Sequence, residues 1–177
     1  NSVCQREFGD ILNNYGYNIV KKLGCYKPMM VSSYNKDKKY KYIVNKLMSG
    51  RGVKATDNSV LCPANKATDV SKFGENYLVR FSSDKEVEVD SFISYINTKF
   101  VRFMILIGVT AMFIISNENF RFVPEPEAFD HIFTDAELYK KYKLTQDEIN
   151  IIESVIKERK WRGLLSVGNI MVKITDR

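Results

Sequence analysis

The sequence predicts an α+β fold: a twisted mixed sheet covered by a long helix, followed by a C-terminal helical hairpin. Residues 27–82 contain short segments rich in β-branched and aromatic residues, separated by turn-forming residues. Residues 85–107 carry an apolar stripe at helical spacing, and two helix-start signatures follow between residues 134 and 160. With 177 residues, 45% of them hydrophobic, the chain is long enough to bury a core.

The N-terminal third is predicted to contain one helix and then the strands. Apolar residues at spacings of three and four favour a helix over residues 5–24, with Gly24 as its C-terminal stop. The four predicted strand segments are residues 29–34, 40–47, 59–62 and 76–81.

Helix-start signatures define the second half. Ser83 and Glu86 have capping-box spacing, which predicts a long helix over residues 85–107. Thr134 with Glu137 and Thr145 with Glu148 repeat this spacing, and predict a hairpin of two helices over residues 134–160.

Less regular segments complete the predicted organisation. Residues 119–124 are predicted to be extended, and residues 164–175 to form an edge strand or a disordered tail. We therefore expect a sheet-plus-helix domain over residues 1–125, with residues 126–177 packed on the same core.

Cysteine usage and hydropathy indicate a cytoplasmic protein. Cys4, Cys25 and Cys62 lie far apart and form no CxxC pair. The most apolar stretch, residues 100–115, contains an arginine and is shorter than the roughly 20 residues that span a bilayer, so we expect no membrane partner. The N-terminus shows no signal-peptide pattern, and its start at Asn1 suggests a fragment of a longer protein.

Catalytic signatures are missing from the sequence. Adenine methylation requires a glycine-rich loop and an Asn/Asp-Pro-Pro-Tyr/Phe tetrad, and the chain has neither. The one Glu-x-Lys tripeptide, residues 158–160, is interpreted as solvated charge at a helix end. His131 is the single histidine and is interpreted as a surface residue in an acidic loop. We therefore predict no catalytic residue and no metal ligand.

Basic residues are concentrated in the predicted sheet. Lys and Arg outnumber Asp and Glu by 27 to 21, for a net charge of +6 and a pI near 9.1, which suits a polyanionic partner. Residues 34–54 hold one acid, Asp37, among interleaved tyrosines and seven cations: Lys36, Lys38, Lys39, Lys41, Lys46, Arg51 and Lys54. These cations could neutralise phosphates, or they could belong to a solvated edge strand.

A second basic and polar segment spans residues 65–72 and contains Lys66 and Lys72. Its side chains suit hydrogen bonds to phosphates or base edges, and they suit an ordinary loop equally well.

Four motifs in the C-terminal half carry a resemblance. They are YINTKFVRF at 95–103, FRFVP at 120–124, TDAELYKKY at 134–142, and LTQDEI at 144–149 followed by IESVIK at 152–157. In this order and spacing they resemble the ending of bacterial restriction-modification proteins, where a TaqI-like target-recognition region follows an adenine-specific DNA methyltransferase domain. The match covers about residues 76–160, and residues 1–75 match weakly.

The resemblance implies sequence-specific recognition of double-stranded DNA. The methyl donor S-adenosylmethionine, and possible magnesium chemistry, would belong to an upstream catalytic domain of the parent enzyme, and this chain would itself be non-catalytic. Lys99 and Arg102 lie within the first motif and are expected to contact phosphates or to form a solvated helix flank. One departure from the family is residues 108–115, which are largely apolar where the family is basic and polar.

Two competing functions are consistent with the same residues. The chain could be a structural or protein-interaction module that docks on the catalytic domain or on another subunit. It could also be a nuclease, which cleavage of plasmid in the presence of magnesium would reveal.

Overall fold

The computed structural model describes residues 15–29, 35–45, 60–61, 65–71, 73–108 and 117–159, together with the backbone of two short strands near the C-terminus. It has the predicted α+β class. In chain order the elements are α1 (Tyr17–Leu23), β1 (Tyr40–Asn45), β2 (Asn65–Ala67), β3 (Tyr77–Ser83), α2 (Glu86–Asn97), α3 (Lys99–Gly108), a 3-10 helix (Asn117–Phe120), α4 (Asp135–Lys141), α5 (Gln146–Val155), β4 (Ser166–Val167) and β5 (Ile170–Met171).

The main sheet has the order β2-β1-β3, and both of its pairings are antiparallel. Tyr42 on β1 lies opposite Lys66 on β2 and Phe81 on β3, and the register with β3 shifts after Tyr42. The prediction of a mixed sheet is therefore wrong for the described strands. The basic stretch also supplies the central strand, because β1 has a neighbour on each side, and not an edge strand as one interpretation had it.

The predicted strands are partly correct. Strands β1 and β3 lie within a few residues of their predicted positions, whereas β2 falls in a segment predicted as polar loop. Residues 60–61 are not in a strand, and residues 119–124 contain the end of a 3-10 helix and a turn. Most of the predicted 29–34 strand lies outside the described residues. The tail does form paired strands, since β4 and β5 are antiparallel to each other.

In place of the one long helix that was predicted, the structure has two helices, α2 and α3, which are separated at Thr98. This residue has an extended backbone, with φ −58° and ψ 151°. Its hydroxyl donates to the carbonyl of Tyr95 at 2.7 Å and accepts from the amide of Val101 at 3.2 Å, so one side chain ends α2 and caps α3. The apolar stripe continues through the break, which is why periodicity alone predicted one helix.

The three predicted capping boxes form to different extents. At α2 the prediction is wrong: Ser83 donates to Glu88 at 2.6 Å and accepts from the amide of Lys85. At α5 both bonds of the box form, between Thr145 and Glu148. Local sequence spacing therefore identified the helix starts better than the bonds that cap them.

At α4 half of the predicted box forms. The Thr134 hydroxyl accepts from the Glu137 amide at 3.3 Å, while the Glu137 carboxylate binds His131 instead.

One hydrophobic core joins the sheet to the helices on both sides of residue 125. Phe81 on β3 stacks on Phe92 of α2 with ring centroids 4.5 Å apart, and Phe129 meets both rings edge-on. Leu138 of α4 and Ile152 of α5 belong to the same buried cluster. Among the described helices, none combines the length and the hydropathy that a bilayer crossing requires.

Gly108 ends α3 at a close backbone approach, which gives a testable consequence. A Cβ built on Gly108 would lie 2.6 Å from the carbonyl oxygen of Asn119. We expect Gly108→Ala to lower the free energy of unfolding by about 2 kcal/mol, measured by urea denaturation, because backbone atoms must move apart. Gly74→Ala is the matched control, since nothing lies within 4 Å of its Cβ position. Equal stability of the two variants would contradict this account.

Candidate nucleic-acid interface

The first part of the basic stretch forms a turn held against β3. The Asn35 side chain accepts from the amide of Asp37 at 2.9 Å, and the amide of Lys38 donates to the Asn35 carbonyl at 3.2 Å. The hydroxyl of Ser82 accepts from the Asn35 amide and donates to its carbonyl. Residues 35–39, the lysine turn, thus have a fixed position at one end of the sheet.

The lysine turn presents two exposed cations. Lys36 and Lys39 are exposed, and the Lys39 ammonium lies 4.9 Å from the centroid of the Tyr40 ring. Lys38 is instead paired with Asp84 at 2.6 Å, and Asp84 also accepts from the amide of Lys39. The hydrogen bond from Lys38 holds the pKa of Asp84 below its usual value. Of the three predicted DNA-contacting lysines here, two are therefore exposed without an acidic partner among the described residues.

Lys41, the one lysine within β1, is not exposed to solvent. Lys41 is 6% exposed, and its ammonium donates to the carbonyl of Lys38. The neighbouring Tyr42 is 1% exposed and contacts Phe92 with ring centroids 5.2 Å apart. The expected phosphate contact by Lys41 is corrected, because a central strand with core on its faces leaves that side chain covered.

Lys66 on β2 is held by the first two turns of α2. Its ammonium lies 2.7 Å from Glu86 and 2.7 Å from Asp90. Partial burial opposes the charge on Lys66, but the hydrogen bonds to these carboxylates outweigh it and raise its pKa. Sequence reasoning missed the two acids because they are 20 and more residues away and come alongside β2 only in the fold.

A groove of about 410 Å³ lies beside β2. Tyr40, Thr68 and Phe73 contribute to its wall, together with the Lys66–Glu86 pair. The Lys39 ammonium of the lysine turn lies over the ring of Tyr40, one of the residues that line this groove. The remaining predicted cations of the region, Lys46, Arg51, Lys54 and Lys72, lie outside the described residues.

Lys99 and Arg102, the predicted contacts on α3, face other parts of the protein. Lys99 forms an ion pair with Glu153 of α5. Arg102 is 0% exposed; its Nε donates to the Asn97 carbonyl at 3.1 Å and its Nη2 to the Lys157 carbonyl at 2.7 Å. A phosphate cannot reach a guanidinium that is fully covered, so the expectation for Arg102 is corrected to a structural role.

Arg159 and Asp135 extend the polar network around Arg102. Arg159 donates to the Asn97 side chain at 3.0 Å and to the Leu61 carbonyl, so the interpretation of this arginine as solvated charge is wrong. Asp135 of α4 accepts from the amide of Phe100 at 2.9 Å, which satisfies a free amide at the start of α3. Burial, with the neighbouring Arg159 charge, lowers the pKa of Arg102 to about 10.

His131 lies on the surface, as predicted, between two acids. Its Nδ1 is 2.7 Å from Asp130 and its Nε2 is 2.9 Å from Glu137, while its ring lies 4.2 Å from that of Phe133. The hydrogen bond with Asp130, supported by Glu137, raises the pKa of His131 above 6.5. Both ring nitrogens are therefore occupied by surface carboxylates, which gives this histidine a structural role.

Comparisons with known proteins add no relative. No family model, no curated protein and no solved structure matches the chain. Within the described residues, no group of three or more histidine, cysteine or acidic side chains could hold a metal ion.

We expect Arg102→Ala to lower the free energy of unfolding by about 3 kcal/mol in urea denaturation, because the buried carbonyl of Asn97 and the partly buried carbonyl of Lys157 lose their donor. Lys157→Gln, which changes an exposed side chain and leaves the accepting backbone carbonyl intact, serves as the control and should change stability by less than about 0.5 kcal/mol. A loss below about 1 kcal/mol for Arg102→Ala would show that water replaces the guanidinium.

His131 gives a pH prediction that one NMR resonance can test. Its pKa in the folded protein lies above the unfolded value of about 6.5, so its pairing stabilises the fold fully below that pH. The stabilisation is lost as the pH rises through the folded pKa. We expect the Hε1 signal to titrate with a midpoint above 6.5, and Asp130→Asn to move the midpoint downward. A wild-type midpoint at or below 6.5 would refute the pairing.

Proposed function

We propose that the chain binds double-stranded DNA as the target-recognition region of a restriction-modification protein. The observation that carries the proposal is the exposed pair Lys36 and Lys39 on a turn that Ser82 anchors to β3, with Lys39 over the ring of Tyr40, a lining residue of the groove. Cations on an anchored turn can contact phosphates without first losing an acidic partner.

The groove supplies a second element that recognition requires. Phosphate contacts position a protein on DNA, while base edges are read by hydrogen-bonding and apolar side chains. Thr68 offers a hydroxyl and Tyr40 an aromatic ring in the wall of the groove, which the acids Asp69 and Glu86 also line. In this proposal the turn positions the duplex and the groove side chains contribute to its discrimination.

The family resemblance suggests which steps this chain would perform and which an upstream domain would perform. The motifs at residues 95–157 resemble a region that follows an adenine methyltransferase domain, so methyl transfer, S-adenosylmethionine and any magnesium chemistry would reside in that domain. This chain would contribute affinity and sequence preference.

A protein-interaction module is the second candidate, and the charge pairing of the sheet favours it. Lys38 is neutralised by Asp84, and Lys66 by Glu86 and Asp90, which leaves much of this surface mixed in charge. Mixed charge is typical of a solvated surface or of the polar rim of a protein interface.

Salt dependence separates the two candidates. Binding of the 177-residue chain to a fluorescent mixed-sequence duplex should weaken linearly with the logarithm of salt concentration. The salt slope is the slope of the logarithm of the binding constant against the logarithm of salt concentration. We expect Lys36→Gln/Lys39→Gln to reduce its magnitude by about two, since each lost phosphate contact removes about 0.9. Lys157→Gln, which changes an exposed lysine two residues after the end of α5, should leave the slope unchanged.

Either of two results would favour the interaction module instead. One is no binding of the wild-type chain at low salt, and the other is binding with no salt slope. If the double variant keeps the wild-type salt slope, the lysine turn does not contact the DNA.

A further inference from the structure

A second group of exposed lysines lies where the end of α1 meets the junction between α4 and α5. We call it the lysine corner: Lys21, Lys140, Lys141 and Lys143. The Lys143 carbonyl accepts from the side chain of Lys22 at 3.3 Å, and the rings of Tyr26 and Tyr142 meet edge-on at 5.0 Å. These contacts join the end of α1 and the α4–α5 junction into one surface.

Two of the nearby carboxylates are already engaged with other groups. Glu148 pairs with Lys22 at 2.6 Å and accepts from the amide of Thr145. Glu137, one turn before the end of α4, binds His131. Within the part of the chain that the structure describes, no ion pair involves a lysine of the corner. The lysines of the corner are therefore exposed and outside the described ion pairs, unlike Lys38 and Lys66.

Lys143 has a backbone conformation that disfavours a lysine. Its φ is 52°, and it is the one non-glycine residue of positive φ among those described. Glycine adopts this left-handed conformation without crowding and is the common residue just after a helix end. A lysine at this position therefore strains the backbone. Strain of this kind often occurs at functional sites, so it supports a functional role for Lys143.

The geometry points to the lysine corner as a contact surface for the phosphate backbone of duplex DNA. This inference rests on the proposed function and adds a surface to it, separate from the lysine turn. The partner is chosen by charge complementarity: lysines are flexible point charges that suit phosphates, and those of the corner form no ion pair among the described residues. Its contribution is to affinity and register, and it carries no sequence preference.

Lys143→Gly is the most informative variant, because relief of backbone strain should raise stability while loss of the charge should weaken DNA binding. Removing the side chain relieves the left-handed strain, so the melting temperature should rise. Removing the ammonium should weaken binding to the mixed-sequence duplex and reduce the salt slope by about 0.9. A lysine that serves only the fold would not produce higher stability together with weaker binding.

Lys140→Gln/Lys141→Gln tests the rest of the corner against a structural explanation. Lysines in the last turn of a helix also stabilise it by interacting with its dipole. We expect the double variant to reduce the salt slope by about two, while Lys157→Gln retains the wild-type slope. A lower melting temperature with an unchanged slope would show that these lysines serve the helix alone, and would overturn the inference.

The failure of the corner and the failure of the proposed function give different results. If corner variants keep the wild-type slope while Lys36→Gln/Lys39→Gln reduces it, the corner is excluded and DNA binding stands. Equal reductions by the corner variants and Lys157→Gln would indicate diffuse attraction and would also exclude the corner. If the wild-type chain does not bind the duplex, both proposals fail.

Discussion

The buried guanidinium of Arg102 is the interaction on which the helical half of the structure depends. It lies one turn into α3, just after the break at Thr98, and binds the carbonyl that ends α2 and a carbonyl beyond the end of α5. A buried cation destabilises a fold unless its donors are satisfied and an opposite charge is near. The Asp135 carboxylate lies near it and also caps α3. One charged network thus fixes the helix break, the start of α4 and the exit from α5.

A similar constraint shapes the surface of the sheet. The antiparallel order β2-β1-β3 places the start of α2 beside β2 and the lysine turn. Because α2 begins with acids, which its N-terminal dipole favours, the same residues that stabilise the helix also neutralise nearby lysines. In the described part of the basic stretch, residues 35–45, Lys38 is thus paired and Lys41 covered, while Lys36 and Lys39 stay exposed and form no ion pair with a described acid.

What the sequence could predict was local. Thr145 and Glu148 lie within one helical turn, so their spacing determines the bonds they make, and the helix start was predicted correctly. The class of fold followed from periodicities of the same short range. Pairs such as Lys38 with Asp84, or Arg159 with Leu61, join residues 46 and 98 positions apart, and nothing in their local sequence indicates the partner. Candidate sites built from charged residues depend on such pairs, which is why the burial of Lys41 and Arg102 was not foreseen.

The distinction between charge count and charge availability governs any function of this protein that involves a polyanion. A net charge of +6 raises the potential around the whole molecule, but counterion release requires cations that can approach phosphates. A lysine in an ion pair must first lose its carboxylate, and the phosphate must then lie near the acid left behind. Each paired lysine therefore adds less to DNA affinity than its formal charge suggests. A binding surface in this fold is defined by lysines that its own carboxylates leave unpaired, and a backbone conformation unfavourable to lysine is independent support for one of them.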